Sequence, residues 1–319
     1  MLKLAKDNLK EDIEMRQVYS NTLAEMTEKD KRVIALEADL MGAIKTNDFQ
    51  KKFPEHLINC GIMEANMIGV AAGLSITGRI PFVHTFASFA TRRACDQIFL
   101  AAAYSDNNLK IIGSDAGISS QHNGGTHMPF EDLGIMRSIP GVKVIEVSDS
   151  TMLRSVLKVV KEQKGVHYIR LIRKNAYKIY DERSEFRIGK GNLLLDGHDA
   201  TIIASGIMVY ESLKAAEFLR EKDINVAVVD MFTIKPIDKE LIIKYAKKTG
   251  VVLTAENHNI INGLGSAVAE VLSESYPVKL KRIGVKDRFG QVGTQDYLKK
   301  VYQLSYLDIA SGIEELLNK

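Results

Sequence analysis

Residues 61–86, GIMEANMIGVAAGLSITGRIPFVHTF, join two kinds of secondary structure. The first part is almost entirely small or apolar, with a single acid at Glu64, and its length is typical of a helix. After Gly78, a β-branched and aromatic run from Ile80 to Phe86 predicts a buried strand. A helix that leads directly into such a strand is typical of a parallel sheet whose faces are covered by helices.

The same alternation of strands and helices runs through the first half of the chain. Helical patterns separate the β-branched runs, including one pattern through 92–104 and one from Thr151. This order predicts a parallel sheet with helices on its faces. The further predicted strands lie at 32–39, 109–115, 143–149 and 166–173.

A second domain follows a charged linker. Residues 178–192, KIYDERSEFRIGKGN, lose periodicity and gain charge, which is typical of an exposed linker. The alternation then restarts at 200–206, and a later helix is predicted from Asp238 to a stop at Gly250. We therefore predict an α/β fold of two consecutive domains, each with a mainly parallel sheet flanked by helices. The predicted boundaries are residues 1–180, a linker at 181–192, and residues 193–319.

Composition restricts the class of function. The chain has 319 residues, of which 45% are hydrophobic and 26% charged, and this is enough for two globular domains. The formal charge of +3 is the small excess of 43 basic over 40 acidic residues, so we expect no binding to nucleic acid. No apolar run approaches the roughly 20 residues of a membrane span, and we expect no membrane contact. Cys60 and Cys95 lack disulfide or metal-ligand spacing, which favours a reducing cytoplasm.

Glu64 has two explanations at this stage. An acid in the first turn of a helix is stabilised by the helix dipole and by free N–H groups, with no further role. Alternatively, Gly61, Gly69 and Gly73 allow other chains to approach this apolar helix closely, and the acid is then buried. A buried carboxylate must find a partner or keep its proton, and this is how many catalytic acids work.

Two further clusters carry side chains suited to binding. Phe86 and Phe89 lie three residues apart at a predicted strand end, where they form either ordinary core or a stacking surface for a flat heterocycle. The segment 121–132, QHNGGTHMPFED, places His122 and His127 around two glycines. Such a composition is typical of an irregular loop held against a ligand.

Four long motifs occur in the order NCGIMEANMIGVAAGL, IPFVHTFASF, GGTHMPFEDLGIMRSIPGVKVIEVSD and TAENHNIINGLGSAVAE. Taken together and in this order, they resemble the transketolase family of thiamine-diphosphate enzymes. The resemblance runs from about Arg16 to the last helix, and it implies a pyrimidine-binding domain followed by a transketolase C-terminal domain. It also implies that Glu64 is the catalytic acid/base that hydrogen-bonds the cofactor's aminopyrimidine, that Phe86 and Phe89 pack on that ring, and that Asp39 lies close to it.

The resemblance also implies substrate-binding residues. His127 matches a catalytic-site histidine that touches the sugar, while Arg16 and Arg173 match arginines that grip its terminal phosphate; a guanidinium fork suits phosphate oxygens. The chain departs from the family where it reads SDAGISSQHNGGTH. There Ser114 or Asp115 replaces a phosphate-contacting histidine. Asn123, with His122 beside it, stands in place of an aspartate that reads the C2 hydroxyl.

A missing segment implies a second chain. A whole transketolase is about twice this length and has a G-D-G…N segment that holds the metal and the diphosphate, and nothing in this sequence matches it. The resemblance is therefore to the C-terminal subunit of a split transketolase. It implies an N-terminal, diphosphate-binding partner subunit in an α2β2 assembly, with the thiamine diphosphate shared and Mg²⁺ or Ca²⁺ held by the partner. The reaction it implies is two-carbon ketol transfer from a ketose phosphate to an aldose.

Other functions remain open at this stage. The chain is also similar, in YIRL at 168–171, to 1-deoxyxylulose-5-phosphate synthase and to the β subunits of 2-oxoacid dehydrogenases. A pyruvate-type substrate would not need two phosphate-binding arginines, Arg16 and Arg173, and this favours transketolase. A non-catalytic structural subunit would have no need of a buried acid facing two aromatic rings.

Overall fold

The structure, a computed structural model, describes residues 2–318, and Met1 and Lys319 lie outside it. It contains two sheets with helices packed on their faces. Both sheets are mainly parallel, so the predicted α/β fold of two domains is confirmed. Between residues 2 and 318, none of the helices is both long enough and apolar enough to cross a membrane.

The first sheet contains six parallel strands in the order β5-β6-β4-β3-β1-β2. Every residue of β1, β3, β4 and β6 is buried, as expected for strands that are covered on both faces. The strands are β1 Val33–Glu37, β2 Leu57–Asn59, β3 Ile80–Phe86, β4 Lys110–Ser114, β5 Lys143–Glu146 and β6 His167–Arg170.

The helices of the first domain connect these strands. The prediction of a single helix through 92–104 is wrong. One helix ends at Arg92, a second spans only Cys95–Gln97, and π-helical turns follow at Ile98–Tyr104. Short 3₁₀ turns occur at Pro54–His56 and Gly117–Asn123. The helices are α1 Met15–Lys29, α2 Met41–Ile44, α3 Asn47–Lys52, α4 Glu64–Ile76, α5 Ala87–Arg92, α6 Cys95–Gln97, α7 Asp132–Ser138 and α8 Ser150–Lys161.

The second domain has a five-stranded sheet in the order β12-β11-β8-β9-β7, in which only β7 is antiparallel to its neighbour. Its strands and helices are β7 Asn192–Leu195, β8 Ala200–Ala204, α9 Met208–Arg220, β9 Val226–Asp230, β10 Thr233–Lys235, α10 Lys239–Thr249, β11 Val251–Asn259, α11 Leu264–Ser275, β12 Lys279–Val285, α12 Gln295–Tyr302 and α13 Tyr306–Leu317. Helix α10 begins and ends as predicted, because Asp238 accepts a hydrogen bond from the Leu241 N–H and Gly250 takes the left-handed conformation.

The two domains are interlocked. Strand β10 leaves the second domain and pairs antiparallel with β5, as a seventh strand of the first sheet. The charged segment 181–191 has no helix or strand, but it is less exposed than predicted. Phe186 is 4% exposed and its ring meets those of Tyr180 and Phe232 edge-on. The relative position of the domains is therefore held by buried contacts.

A buried ion network crosses the domain boundary. The Arg170 guanidinium at the end of β6 has no exposed side-chain surface and pairs with Asp132, at 2.7 Å, and with Glu146. Its remaining nitrogen donates to the main-chain carbonyl of Asn257 in the second domain, at 2.9 Å. On the same side, Ser205 of the second domain donates its hydroxyl to Glu146. One arginine thus pairs with two buried acids and also joins the two domains.

A second boundary contact makes stability depend on pH. The Asp230 side chain at the end of β9 accepts hydrogen bonds of 2.7 Å from the hydroxyls of Ser148 and Tyr180 in the first domain. Burial raises the pKa of Asp230 to about 7, although these two hydrogen bonds act in the opposite direction. In the unfolded chain the Asp230 carboxyl loses its proton near pH 4, whereas in the native state it keeps the proton up to about pH 7. Its contribution to stability is therefore lost as the pH rises from about 4 to about 7.

We expect Asp230→Asn, which cannot ionise, to gain stability relative to the wild type as the pH rises. The gain between pH 5 and pH 8 should be on the order of 2 kcal/mol, measured by urea unfolding at the two pH values. Asp223→Asn, at an exposed turn, provides the control and should show the same offset at both. A constant offset for Asp230→Asn would show that this acid is ionised in the native protein throughout.

Candidate active site

The predicted site residues lie along one edge of the first sheet, at the carboxyl ends of its parallel strands. Asp39 follows β1, Phe86 ends β3, Asp115 follows β4, and Arg173 follows β6. This is the edge at which parallel α/β sheets bind ligands. The sequence order of the strands therefore brings distant residues to one surface.

Glu64 is the first residue of α4 and its side chain is 4% exposed. The predicted burial is confirmed. Its carboxylate oxygen Oε1 accepts a hydrogen bond of 2.9 Å from Nη1 of Arg93, whose side chain is 46% exposed. The acid is therefore protected from water but paired with a cation that reaches it from the surface.

Three rings form a small aromatic cluster beside this acid. The ring centroids of Phe86 and Phe89 are 5.9 Å apart, with a tilted arrangement. The His127 ring meets both edge-on, at 5.0 Å from Phe89 and 5.9 Å from Phe86. Phe86 is buried, while Phe89 and His127 are half-buried and so accessible to a ligand. The structure brings together two motifs that are about 40 residues apart in sequence.

Arg93 connects the acid to the aromatic cluster. The centre of its guanidinium group lies 3.8 Å from the centroid of the Phe89 ring, as in a cation–π contact. The same group donates to Glu64. The sequence gives no signal for Arg93, because its acid partner is 29 residues away in the chain.

Arg173 is oriented by a buried acid. Its Nε donates to Oδ1 of Asp115 at 2.7 Å, and its guanidinium lies 4.9 Å from the Phe86 ring centroid. Burial raises the pKa of Asp115, and the neighbouring Arg173 opposes part of that rise. The two terminal nitrogens of Arg173 have no hydrogen-bond partner within residues 2–318. They are free to pair with an anion.

A basic cluster lies next to Arg173. Glu14 is surrounded by three cations, since Arg16 binds it at 2.8 Å, Lys45 at 2.9 Å and Lys174 at 3.2 Å. The hydrogen bond from Arg16 is the main reason that the pKa of Glu14 falls to about 2. Arg16 also donates to the Ala43 carbonyl, so it is held in place. The cluster keeps an excess of positive charge, to which Lys45 and Lys174 contribute without having been predicted.

A buried hydrogen-bonded chain lies beneath the site. The His84 ring binds Glu37 through Nδ1 at 2.7 Å and Ser114 through Nε2 at 3.0 Å. Thr46 donates its hydroxyl to the same Glu37 carboxylate. Ser114, which was predicted as a substitute phosphate contact, is thus engaged inward, whereas the adjacent Asp115 faces Arg173. The His84 pair escaped sequence analysis because both residues lie inside apolar strands.

The other predicted residues lie at the margin. His122 and Asn123 are exposed on the loop before His127, and their side chains make no hydrogen bond within the described residues. Asp39 is also exposed, with φ of 61°, and its carboxylate accepts a hydrogen bond from the Asn59 amide at 3.2 Å. Their assigned roles stay predictions.

Both domains hold the loop that carries His127. Ser120 donates its hydroxyl to the carbonyls of Asp115 and His127, each at 2.7 Å. Asn257 of the second domain accepts from the Ile118 N–H and donates to the Ala116 carbonyl, both at 2.9 Å. Next to Asn257, the His258 side chain is fully buried between the two domains of this chain. Across residues 2–318, no cluster of three or more His, Cys, Asp or Glu side chains is arranged to hold a metal ion.

Two family models cover most of the chain. The model described as transketolase, pyrimidine binding domain, matches residues 11–178, and the one described as transketolase, C-terminal domain, matches residues 189–309. The chain belongs to the transketolase family. The predicted family is therefore confirmed, and the residues around Glu64 lie within its pyrimidine-binding domain.

Transketolase relatives of this chain are both whole enzymes and separate subunits. The 6-deoxy-6-sulfo-D-fructose transketolase subunit SqwH of Clostridium sp. (strain MSTE9) is 48% identical over 305 residues, 96% of this chain and 95% of that subunit. Human transketolase is 34% identical over 311 residues, 96% of this chain but 49% of the human protein. A solved split-gene transketolase, described as an inactive β4 tetramer, has a TM-score of 0.88 and 41% identity, covering 96% of this chain and 98% of that one. The chain is thus a transketolase subunit, a component of a transferase.

Proposed function

We propose that this chain is the C-terminal subunit of a two-chain transketolase, and that it supplies the acid/base group and the pyrimidine site for thiamine diphosphate. The observation that carries the proposal is the position of Glu64, a buried carboxylate beside an accessible aromatic surface. Proton exchange with a ring nitrogen requires such a carboxyl, kept away from bulk water. A solvated helix-capping acid would need neither the burial nor the rings.

The residues present fit the pyrimidine end of thiamine diphosphate. A flat guanidinium group already lies on Phe89 and bonds to Glu64, so a flat heterocycle with a hydrogen-bonding edge finds both contacts there. When bound, the cofactor supplies a carbon acid whose anion attacks the ketose. Glu64 holds and exchanges the proton at the pyrimidine ring nitrogen, and Phe86 and Phe89 exclude water from that ring. Asp39 is proposed to lie near the same ring.

The substrate is proposed to lie between His127 and the basic cluster. The terminal nitrogens of Arg173 pair with the substrate's terminal anion, and Arg16 adds charge from the adjacent cluster. His127, next to the aromatic rings, contacts the sugar near the reacting carbons. Asn123 and His122 lie further out on the same loop and are proposed to contact sugar hydroxyls. Two-carbon ketol transfer from a ketose phosphate to an aldose is the reaction that this set supports.

A partner chain is part of the proposal. The chain matches half of human transketolase, and we propose that an N-terminal subunit supplies the diphosphate site and holds Mg²⁺ or Ca²⁺ in an α2β2 assembly. The outer face of α4 is exposed at Gly69 and Gly73. Apart from the backbone of α4 itself, no atom of residues 2–318 lies within 4 Å of where a side chain would begin at either glycine. Ile76 and Tyr104 nearby are 74% and 82% exposed. This apolar face fits a second copy of the chain.

We also propose a cytoplasmic location for the chain. Both cysteines are free, which fits a reducing cytoplasm.

Reconstitution tests the proposal. We expect the chain mixed with an N-terminal transketolase subunit, thiamine diphosphate and Mg²⁺ to transfer a ketol unit from a ketose phosphate to an aldose. The chain alone should show no transfer, in keeping with its likeness to an inactive β4 tetramer. A coupled assay with fructose 6-phosphate and with 6-deoxy-6-sulfofructose as donors measures both activity and anion preference. Transfer by the chain alone, or by no combination, would contradict the proposal.

The alternative functions give different results in the same experiment. A 1-deoxyxylulose-5-phosphate synthase or a 2-oxoacid dehydrogenase β subunit would consume pyruvate or another 2-oxoacid, so release of CO₂ from pyruvate identifies either one. A non-catalytic structural subunit would assemble with the partner and leave the complex unaffected by substitution of Glu64. The three outcomes are distinguishable with the purified complex and its Glu64 variant.

Arg173→Met should weaken binding of the substrate's terminal anion. Loss of a charge-assisted pair to phosphate is expected to raise KM for the ketose phosphate at least about tenfold, with a smaller change in kcat. Steady-state kinetics with a ketose that lacks the terminal anion provide the control, because Arg173 has no anion to bind there. Equal losses with both donors would mean that Arg173 acts by orienting Asp115 and Phe86.

A further inference from the structure

Arg93 is a part of the site that the proposed chemistry does not use. It follows α5 and lies next to Arg92, yet the two arginines point to different partners. Arg92 binds Glu131 and the carbonyl of Thr126, which lie on either side of His127 in the chain. Arg93 instead turns inward to Glu64. The inward orientation of the Arg93 side chain requires an explanation, because water would solvate the charge of an outward-pointing arginine without any loss of hydration free energy.

The guanidinium of Arg93 makes the two contacts that a bound aminopyrimidine needs. It is planar, it lies 3.8 Å from the Phe89 ring centroid, and it hydrogen-bonds the Glu64 carboxylate at 2.9 Å. A flat ring that packs on Phe89 and hydrogen-bonds Glu64 would occupy the same space. The arginine and the pyrimidine therefore cannot be bound together in this geometry.

We propose that Arg93 occupies the pyrimidine position in the cofactor-free chain and must swing out before thiamine diphosphate binds. This inference rests on the proposed function and adds a regulatory step to it. In the cofactor-free chain the Arg93 guanidinium gives the buried Glu64 carboxylate the charged partner that burial requires. This pair stabilises the cofactor-free chain at the expense of affinity for the cofactor.

The side chain of Arg93 is free to make this movement. It is 46% exposed, and its backbone is held separately by a hydrogen bond from its N–H to the Phe89 carbonyl. Asp96, three residues further on, is an exposed carboxylate to which the guanidinium can turn. Moving Arg93 away from Glu64 and Phe89 costs free energy. The observed affinity for thiamine diphosphate is therefore the intrinsic affinity multiplied by the fraction of molecules in which Arg93 has already left this position.

Removal of Arg93 should therefore strengthen cofactor binding. In the complex with the N-terminal subunit, at saturating Mg²⁺, we expect Arg93→Ala to bind thiamine diphosphate about fivefold more tightly by isothermal titration calorimetry. Arg93→Lys, which keeps the charge but loses the flat group, should give a smaller increase. Arg92→Ala is the matched control, because it removes the same charge one residue earlier, and it should not tighten binding.

The thermal midpoint of the cofactor-free chain gives a second readout. Arg93→Ala should lower this midpoint, since Glu64 loses its partner, and saturating cofactor should remove the difference in the complex. A purely structural role would lower the midpoint without raising the affinity. If the wild-type complex binds the cofactor and Arg93→Ala binds it no more tightly, the inference is wrong and the proposed function stands. If the wild-type complex binds no cofactor, both are wrong.

Discussion

Glu64→Gln is expected to abolish ketol transfer in the assembled enzyme while leaving the chain folded. Glutamine has the shape of glutamate and its amide oxygen still accepts a hydrogen bond from Arg93, so the packing around α4 is conserved. The amide cannot exchange a proton with the pyrimidine ring nitrogen. Removal of a positioned acid/base group typically costs about 10²-fold to 10⁴-fold in rate, and we expect a loss of at least that size. Steady-state transfer at saturating thiamine diphosphate measures it.

The step that fails can be located directly. Exchange of the acidic proton of bound thiamine diphosphate with D₂O, followed by NMR after acid quench, should slow in parallel with transfer. Glu55→Gln changes an exposed glutamate just before β2 and should leave both rates unchanged. Circular dichroism and the thermal midpoint confirm that both variants are folded. Full transfer by Glu64→Gln would refute the assignment of the acid/base group.

The sequence predicted those parts of the fold that depend on local pattern. The run from Ile80 to Phe86 is a strand at the predicted residues, because a short β-branched and aromatic run after a glycine is typical of a strand covered on both faces. Helix α10 was bounded correctly because Asp238 and Gly250 act through their own backbone neighbours. Such signals need no knowledge of the rest of the chain.

Elements that depend on distant contacts were missed. Strand β10 has only three residues, too few for any periodicity, and it exists because β5 of the other domain offers an edge. The stretch 92–104 has helical composition, yet it breaks at Ala94 and continues in wider π turns. A propensity-based prediction assigns one helix there, whereas packing against α4 and the sheet decides the actual path.

The residues of the candidate site likewise fall into two groups, those that the sequence predicts and those that only the fold identifies. Glu64, Phe86 and Phe89 stand out in sequence because an acid in an apolar helix and a pair of aromatic rings at a strand end are unusual. Arg93 and Lys45 do not stand out, since surface arginines and lysines are common. Their importance comes from the partner that the fold places beside them, Glu64 for one and Glu14 for the other. A sequence pattern can therefore identify unusual residues, whereas unusual pairs of residues are identified only from the fold.

Arg170→Met is expected to destabilise the chain by about 3–5 kcal/mol, the largest effect on stability that we predict. Methionine fills most of the volume, but the substitution leaves Asp132 and Glu146 buried without a counter-charge and removes the hydrogen bond to the Asn257 carbonyl. Urea unfolding followed by circular dichroism measures the loss. Arg183→Ala, which breaks an exposed pair with Asp181, should leave the midpoint unchanged.

A neutralised variant separates charge from packing. If unpaired buried charge causes the loss, then adding Asp132→Asn and Glu146→Gln to Arg170→Met should recover part of the stability, because no charge remains to be compensated. If lost packing or the lost interdomain hydrogen bond causes it, the triple variant should be no more stable than Arg170→Met. The first result is the one we expect, since Arg170 has no exposed surface and pairs with both acids. It would mean that the stability of the first domain depends on the balance of buried charge around Arg170, which also holds the second domain through its hydrogen bond to the Asn257 carbonyl.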